Sequence, residues 1–315
     1  MTNRATSRAL AAATALLALG AGAGCSTGGA AGADPQRVDV VAAFYPLQFL
    51  AERIGGDAVR VTNLAKPGAE PHDLELSPKQ VGQVSDAELI VYLKGFQPAV
   101  DDAVAQNGGD RTFDVTSVQP LLDMTAGEHD HEGAGGHAEE DTGGKDPHVW
   151  LDPTRLAAIG DQLAQRLGET DPGHAADYTA RASALRADLT ALDGEFTQGL
   201  ATCQRREIVT SHTAFGYLAD RYRLDQVGIT GLSPDVEPSP QRLAQVIEEA
   251  REHQTTTIFF ETLVSPKVAE TIAGQVGAKT AVLDPIEGLA AGDGADYLSV
   301  MRTNLQALRT ALSCS

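Results

Sequence analysis

VDVVAAFYPLQFLAERIGGDAVRVTNL, residues 38–64, places two β-rich runs on either side of one helical stretch. Val38–Phe44 and Val59–Leu64 are crowded with β-branched and apolar residues, the signature of strands that are buried on both faces. Between them, Pro46–Ile54 opens with a proline and carries its apolar residues at helical spacing. A strand, a helix and a second strand in so short a span predict a βαβ unit. The pattern continues outward: a helix over Pro78–Asp86, a strand over Glu88–Leu93, a helix over Phe96–Gln106 and a strand over Thr112–Val115. This alternation predicts an α/β lobe built on an open, mostly parallel sheet with flanking helices.

After a polar interruption, Thr154–Leu167 reads as an amphipathic helix. A longer helix runs from beyond Asp171-Pro172 to about Ala201. Tyr178, Ala182, Leu185, Leu189, Leu192, Phe196 and Leu200 fall at three- and four-residue steps along it and give one apolar stripe. Thirty helical residues reach roughly 45 Å, more than one small domain needs. The helix is therefore expected to connect two lobes. The alternation then resumes with strands at Glu207–Thr210, Leu224–Ile229, Thr256–Phe260 and Lys279–Leu283. Helices at Ala214–Tyr222, Pro240–His253, Pro266–Val276 and Ala295–Leu312 follow them in turn.

The N-terminus has Arg4 and Arg8 ahead of a short apolar run from Ala9 to Gly24, which predicts an export signal over residues 1–24. Ala23 and Gly24 before Cys25 look like a bacterial lipoprotein processing site, with Gly22 where leucine is usual. Cys25 is thus a lipidation candidate, and residues 25–37 form a tether. The expected organisation continues with a first lobe at 38–170 containing a His-rich loop at 125–147, a connecting helix at 171–201 and a second lobe at 202–315. Two of the 24 basic residues lie in the signal, so its removal leaves 22 against 43 acidic residues, a balance of −21 that excludes nucleic acid as an obvious partner. Apart from Cys25, only Cys203 and Cys314 are present. Outside the cytoplasm they are expected to form a disulfide, with two inert thiols as the alternative.

Two kinds of histidine stand out. His129, His131 and His137 lie among glycines and carboxylates, a composition expected of an exposed loop. His72, in Gly68-Ala69-Glu70-Pro71-His72-Asp73, His148, in Asp146-Pro147-His148, and His212, in Thr210-Ser211-His212, instead stand just after strands or between proline turns. Asp284, in Leu283-Asp284-Pro285, follows the last strand in the same way. Ligands gather at the carboxyl ends of strands in open α/β sheets. Three imidazoles and a carboxylate suit one tetrahedral zinc ion, although imidazole also serves copper and nickel. Singly, each histidine reads equally well as a cap or a solvated side chain, and Asp284 as a turn former. Glu70 and Glu261 are candidates to support the ligands from outside, with a solvated loop acid and a helix cap as their plainer readings. His174 and His253 read as surface residues.

Gly68–Glu75, Asp146–Pro153, Ser211–Leu218 and Leu283-Asp284-Pro285 resemble, in order, blocks of the cluster A-I metal-binding substrate-binding proteins of ABC transporters. The zinc-uptake (ZnuA-like) branch is the closer match. The resemblance implies two α/β lobes joined by a long rigid helix, with Zn2+ held between them as transported ligand by His72, His148, His212 and Asp284. It implies a non-enzymatic, monomeric receptor anchored by lipid at the outer face of the cell membrane. Its partners would be an ABC permease and an ATPase subunit, since the chain has no phosphate-binding Gly-x-x-x-x-Gly-Lys motif of its own. It also implies an accessory metal-collecting role for His129, His131 and His137. Manganese-binding relatives place glutamate where this chain has His212, which favours zinc. The alternatives are a manganese or iron receptor of the same family, a free metal buffer or adhesin, and, more remotely, a zinc hydrolase.

Overall fold

The computed structural model describes residues 37–123, 144–290, 292 and 294–315. The first half contains strands β1 (Val38–Ala42), β2 (Val59–Asn63), β3 (Leu89–Tyr92) and β4 (Thr112–Asp114). They alternate with helices α1 (Tyr45–Gly55), α2 (Pro78–Asp86), α3 (Pro98–Asn107) and α4 (Val115–Val118). Helices α5 (Pro153–Thr170) and α6 (Ala175–Gly199) follow. The second half contains β5 (Glu207–Thr210), α7 (Gly216–Tyr222), β6 (Asp225–Gly228), α8 (Pro240–Glu252), β7 (Thr257–Phe260), α9 (Lys267–Val276), β8 (Lys279–Val282) and α10 (Tyr297–Ala311).

The two sheets share one plan. Their strand orders are β2-β1-β3-β4 and β6-β5-β7-β8, and every pairing is parallel. In each, the chain leaves its first strand to build one edge and then returns to build the other. The gap between β1 and β3, and that between β5 and β7, is thus a switch point with a crevice at the carboxyl ends of the strands.

Helix α6 holds 25 residues, so it is about 37 Å long at 1.5 Å per residue. It is shorter than the expected stretch because residues Pro172–His174 form a 3-10 turn before it. Tyr178, Ala182, Leu185, Leu189, Leu192, Phe196 and Leu200 are all buried along it. Ion pairs tie its outer face to both halves: Arg53 of α1 reaches Asp188, Arg221 of α7 reaches Asp193, and Arg302 of α10 reaches Glu195. One continuous apolar core runs from Val38 to Leu312 across the two halves, with a smaller cluster around Val209, Ile258 and Ile272 under α8 and α9. Cys203 and Cys314 are joined by a disulfide. It fastens the chain just after α6 to the residue three beyond α10. Among the described residues, no helix is long and apolar enough to cross a membrane.

Candidate metal centre

His212 lies two residues beyond β5, and Glu261 immediately follows β7, so the pair spans the switch point of the second sheet. His212 Nδ1 and Glu261 Oε1 are 2.6 Å apart, and Ser211 Oγ donates to the same oxygen. Thr210 Oγ1 donates to the His212 carbonyl at 2.7 Å, which fixes the backbone. His148 is anchored in a parallel way. Its Nδ1 lies 2.8 Å from Asp146 Oδ1, which also accepts from the His148 backbone N–H at 2.9 Å. The Asp146 carboxylate sits tightly over Gly216, where a Cβ would come within 2.4 Å of Asp146 Oδ2. Only glycine lets the start of α7 approach this close. Behind His148, Trp150 is buried with its ring centroid 5.2 Å from that of the imidazole.

His72 is carried by the loop between β2 and α2. Glu70 Oε1 accepts from its backbone N–H at 2.8 Å, and its ring meets the edge of Phe96 with centroids 4.6 Å apart. His148 and His212 are fully buried, whereas the His72 side chain retains 10% exposure. Glu70 therefore braces the His72 backbone and Glu261 the His212 ring.

The Nε2 atoms of the three histidines converge on a single carboxylate oxygen, Glu287 Oε1, at 3.3 Å from His72, 3.1 Å from His148 and 3.1 Å from His212. One donor atom from each of these four residues lies within 4.8 Å of all the others, an arrangement able to hold a metal ion. The expected carboxylate, Asp284, is not part of it. Asp284 Oδ1 accepts from Ile286 N–H at 2.7 Å and Oδ2 accepts from Thr262 Oγ1 at 2.8 Å. Its carboxylate closes its own turn, the ordinary behaviour of an Asp-Pro pair, and Glu287 three residues later occupies the place assigned to it. His174 and His253 lie elsewhere, paired with Asp171 and Glu207. Cys25, His129, His131 and His137 lie outside the described residues.

Burial works against charge on every group here, and the neighbours decide the outcome. Desolvation opposes protonation of His212, but the carboxylates of Glu261 and Glu287 outweigh it and hold its pKa well above the ordinary value. His148 is likewise raised despite burial, through Asp146 and Glu287. In His72 burial prevails and the pKa falls. Burial would raise Glu287, yet His212 and His72 hold it well below the usual carboxylate range. Glu70, buried and facing that charge, is pushed up to about 9. Oε2 of Glu261 is buried without a hydrogen-bond partner. A buried acceptor left unpaired is costly.

The sequence comparisons agree with this geometry. The chain is 35% identical over 294 residues to the high-affinity zinc uptake system protein ZnuA of Bacillus subtilis, covering 91% of each chain. It is 35% identical over 283 residues to the zinc-binding lipoprotein AdcA of Streptococcus pneumoniae, covering 87% of this chain but only 55% of AdcA. Among solved structures it resembles the laminin-binding protein Lmb of Streptococcus agalactiae, described as bifunctional with adhesin and metal-transporting activity. The identity is 32% and the TM-score 0.76, over 87% of this chain and 99% of Lmb. Residues 40–311 match the family described as ZnuA, zinc-uptake complex component A, periplasmic, and the chain belongs to that family.

Proposed function

We propose that the chain is the extracytoplasmic zinc receptor of an ABC transporter, with His72, His148, His212 and Glu287 as the ligands of one Zn2+ ion. The observation that carries this reading is the convergence of three Nε2 atoms on one Glu287 oxygen in a buried centre. Three nitrogens and one oxygen suit zinc at ligand distances of about 2.0–2.2 Å. A manganese or calcium site would be richer in oxygen. Four protein donors close a tetrahedral site, leaving no position for the water that a zinc hydrolase activates, which speaks for capture without turnover. The receptor would pass its ion to a permease powered by a separate ATPase subunit. Lipid on Cys25 would keep it at the outer face of the membrane, with residues 25–37 as tether. In this reading the lobes are residues 38–170 and 202–315, joined by 171–201, and His129, His131 and His137 collect metal for the buried site.

Calorimetric titration of the metal-stripped protein with Zn2+ and with Mn2+ tests this. One tight zinc site, weak manganese binding and loss of the site in His212→Ala are expected. Equal affinity for manganese, or a His212→Ala protein that binds as wild type, overturns the assignment. The zinc site should survive deletion of residues 128–145.

A further inference from the structure

The turn that delivers Glu287 is unusual. Ile286, a β-branched residue that is fully buried, has φ of 58°. The left-handed region is strained for such a residue, and the conformation persists only where its surroundings over-determine it. The surroundings do so here at three successive positions. The Asn304 side chain clamps the backbone of Asp284 on both sides, accepting from its N–H at 2.9 Å and donating to its carbonyl at 2.7 Å. Trp150 Nε1 donates to the Pro285 carbonyl at 2.7 Å. The Asp284 carboxylate holds the Ile286 N–H and is itself held by Thr262.

We propose that Asp284 is a positioning residue which, with Asn304 and Thr262, locks this turn so that Glu287 meets the three imidazoles in register, and thereby sets how tightly zinc is retained. The inference rests on the zinc-receptor reading. Without the lock, Ile286 relaxes toward ordinary φ and Glu287 swings off the histidines. The brace needs acceptor atoms on residue 284, not its charge. An asparagine there can accept from Ile286 N–H through Oδ1, and its amide can donate to the Thr262 hydroxyl, which also serves as an acceptor.

The test compares Asp284→Asn, Asp284→Ala and Thr262→Val with the full wild-type chain, by zinc competition titration and by the visible d–d bands of the Co2+-loaded protein. Supporting groups around metal ligands change affinity by about 10- to 100-fold. Asp284→Ala is expected to lose zinc affinity in that range and to lose the intense bands of four-coordinate Co2+. Asp284→Asn is expected to keep the bands and stay within about threefold of wild type, as a brace of the same shape should. Thr262→Val, which removes one hydrogen bond at nearly constant volume, should weaken binding a few-fold and so serves if Asp284→Ala does not fold. If Asp284→Asn and Asp284→Ala lose zinc equally, Asp284 is a ligand and the proposal fails. If the variants lose only thermal stability, with affinity and bands unchanged, the role is merely structural and the proposal fails. A wild-type protein that takes up no zinc, or a Glu287→Ala protein that binds as wild type, overturns the zinc-receptor reading instead.

Discussion

Glu261→Gln isolates the effect of a single charge on the site. Gln is nearly the shape of Glu, and its carbonyl can still accept from His212 Nδ1 where the carboxylate oxygen now lies 2.6 Å away. Ser211 Oγ, which donates to the same oxygen, would keep that carbonyl in place. What disappears is the negative charge that makes the imidazole a stronger donor of its Nε2 lone pair. A hydrogen bond to a charged group contributes about 1.5–3 kcal/mol and a neutral one about 0.5–1.5. The difference is therefore about 1–1.5 kcal/mol, or about tenfold in affinity. A second effect acts in the same direction. If the amide NH2 turns toward Nδ1, the ring takes the tautomer with its proton on Nε2, which faces the ion. Glu261→Ala should lose more, since it frees the ring altogether. Because Glu261 Oε2 has no partner, the Gln variant also buries an unpaired NH2 and melts earlier, so the readout must be affinity. Competition against a chromophoric chelator measures it, with affinities extrapolated to high pH because loss of the Glu261 charge also lowers the His212 pKa and relieves proton competition. An affinity within twofold of wild type would refute the idea that Glu261 works through His212.

Protons and zinc compete for the same nitrogens. Protonation of His212 stabilises the metal-free fold below the ordinary histidine value of 6.5, and that stability is lost as pH rises through its elevated folded pKa. Zinc requires the deprotonated ring, so the rise in melting temperature caused by zinc should grow as pH rises above 6.5 toward the elevated His212 value. A constant increment across that range contradicts the assignment. Trp150, the only tryptophan, lies against His148, whose pKa is raised despite burial by Asp146 and Glu287. Imidazolium quenches indole, so emission should rise in a one-site curve on zinc addition. Flat emission in a protein that calorimetry shows to bind zinc would count against it. The Cys203–Cys314 disulfide closes a loop with a sequence separation of 111, for which chain entropy predicts about 5 kcal/mol. Cys203→Ser with Cys314→Ser should lower the melting temperature by roughly 10 °C, and a change of only a degree or two would mean that the unfolded chain is already constrained.

The repeating strands and the stripe on α6 were legible because they are local patterns of spacing. Three of the four donors were legible for a related reason. His212 is a polar residue in a turn just beyond a strand, where an α/β sheet exposes its crevice, and His72 and His148 each follow a proline in a turn. Glu287 was not. The acid nearest the end of β8 is Asp284; its turn-forming role was one local reading among two, and the Thr262 hydroxyl that takes its other oxygen is remote in sequence. The signal that was present is a lone glutamate in the apolar stretch Pro285-Ile286-Glu287-Gly288-Leu289. Asp146 was visible as part of a proline turn, but its grip on His148 depends on where α7 packs. The boundaries of α6 shifted because a 3-10 turn and a continuous helix share the same apolar spacing over a single turn.

The four donors belong to four loops far apart along the chain, drawn from both of its halves. A partly folded chain therefore has no more claim on the ion than any scatter of histidines. Metal deepens the finished state alone and leaves intermediates where they were. Saturating zinc should then conceal damage done anywhere in the molecule. A variant weakened at a distant ion pair such as Arg302–Glu195 would look sound in rich medium and fail when metal runs short, the one condition under which a scavenger is needed.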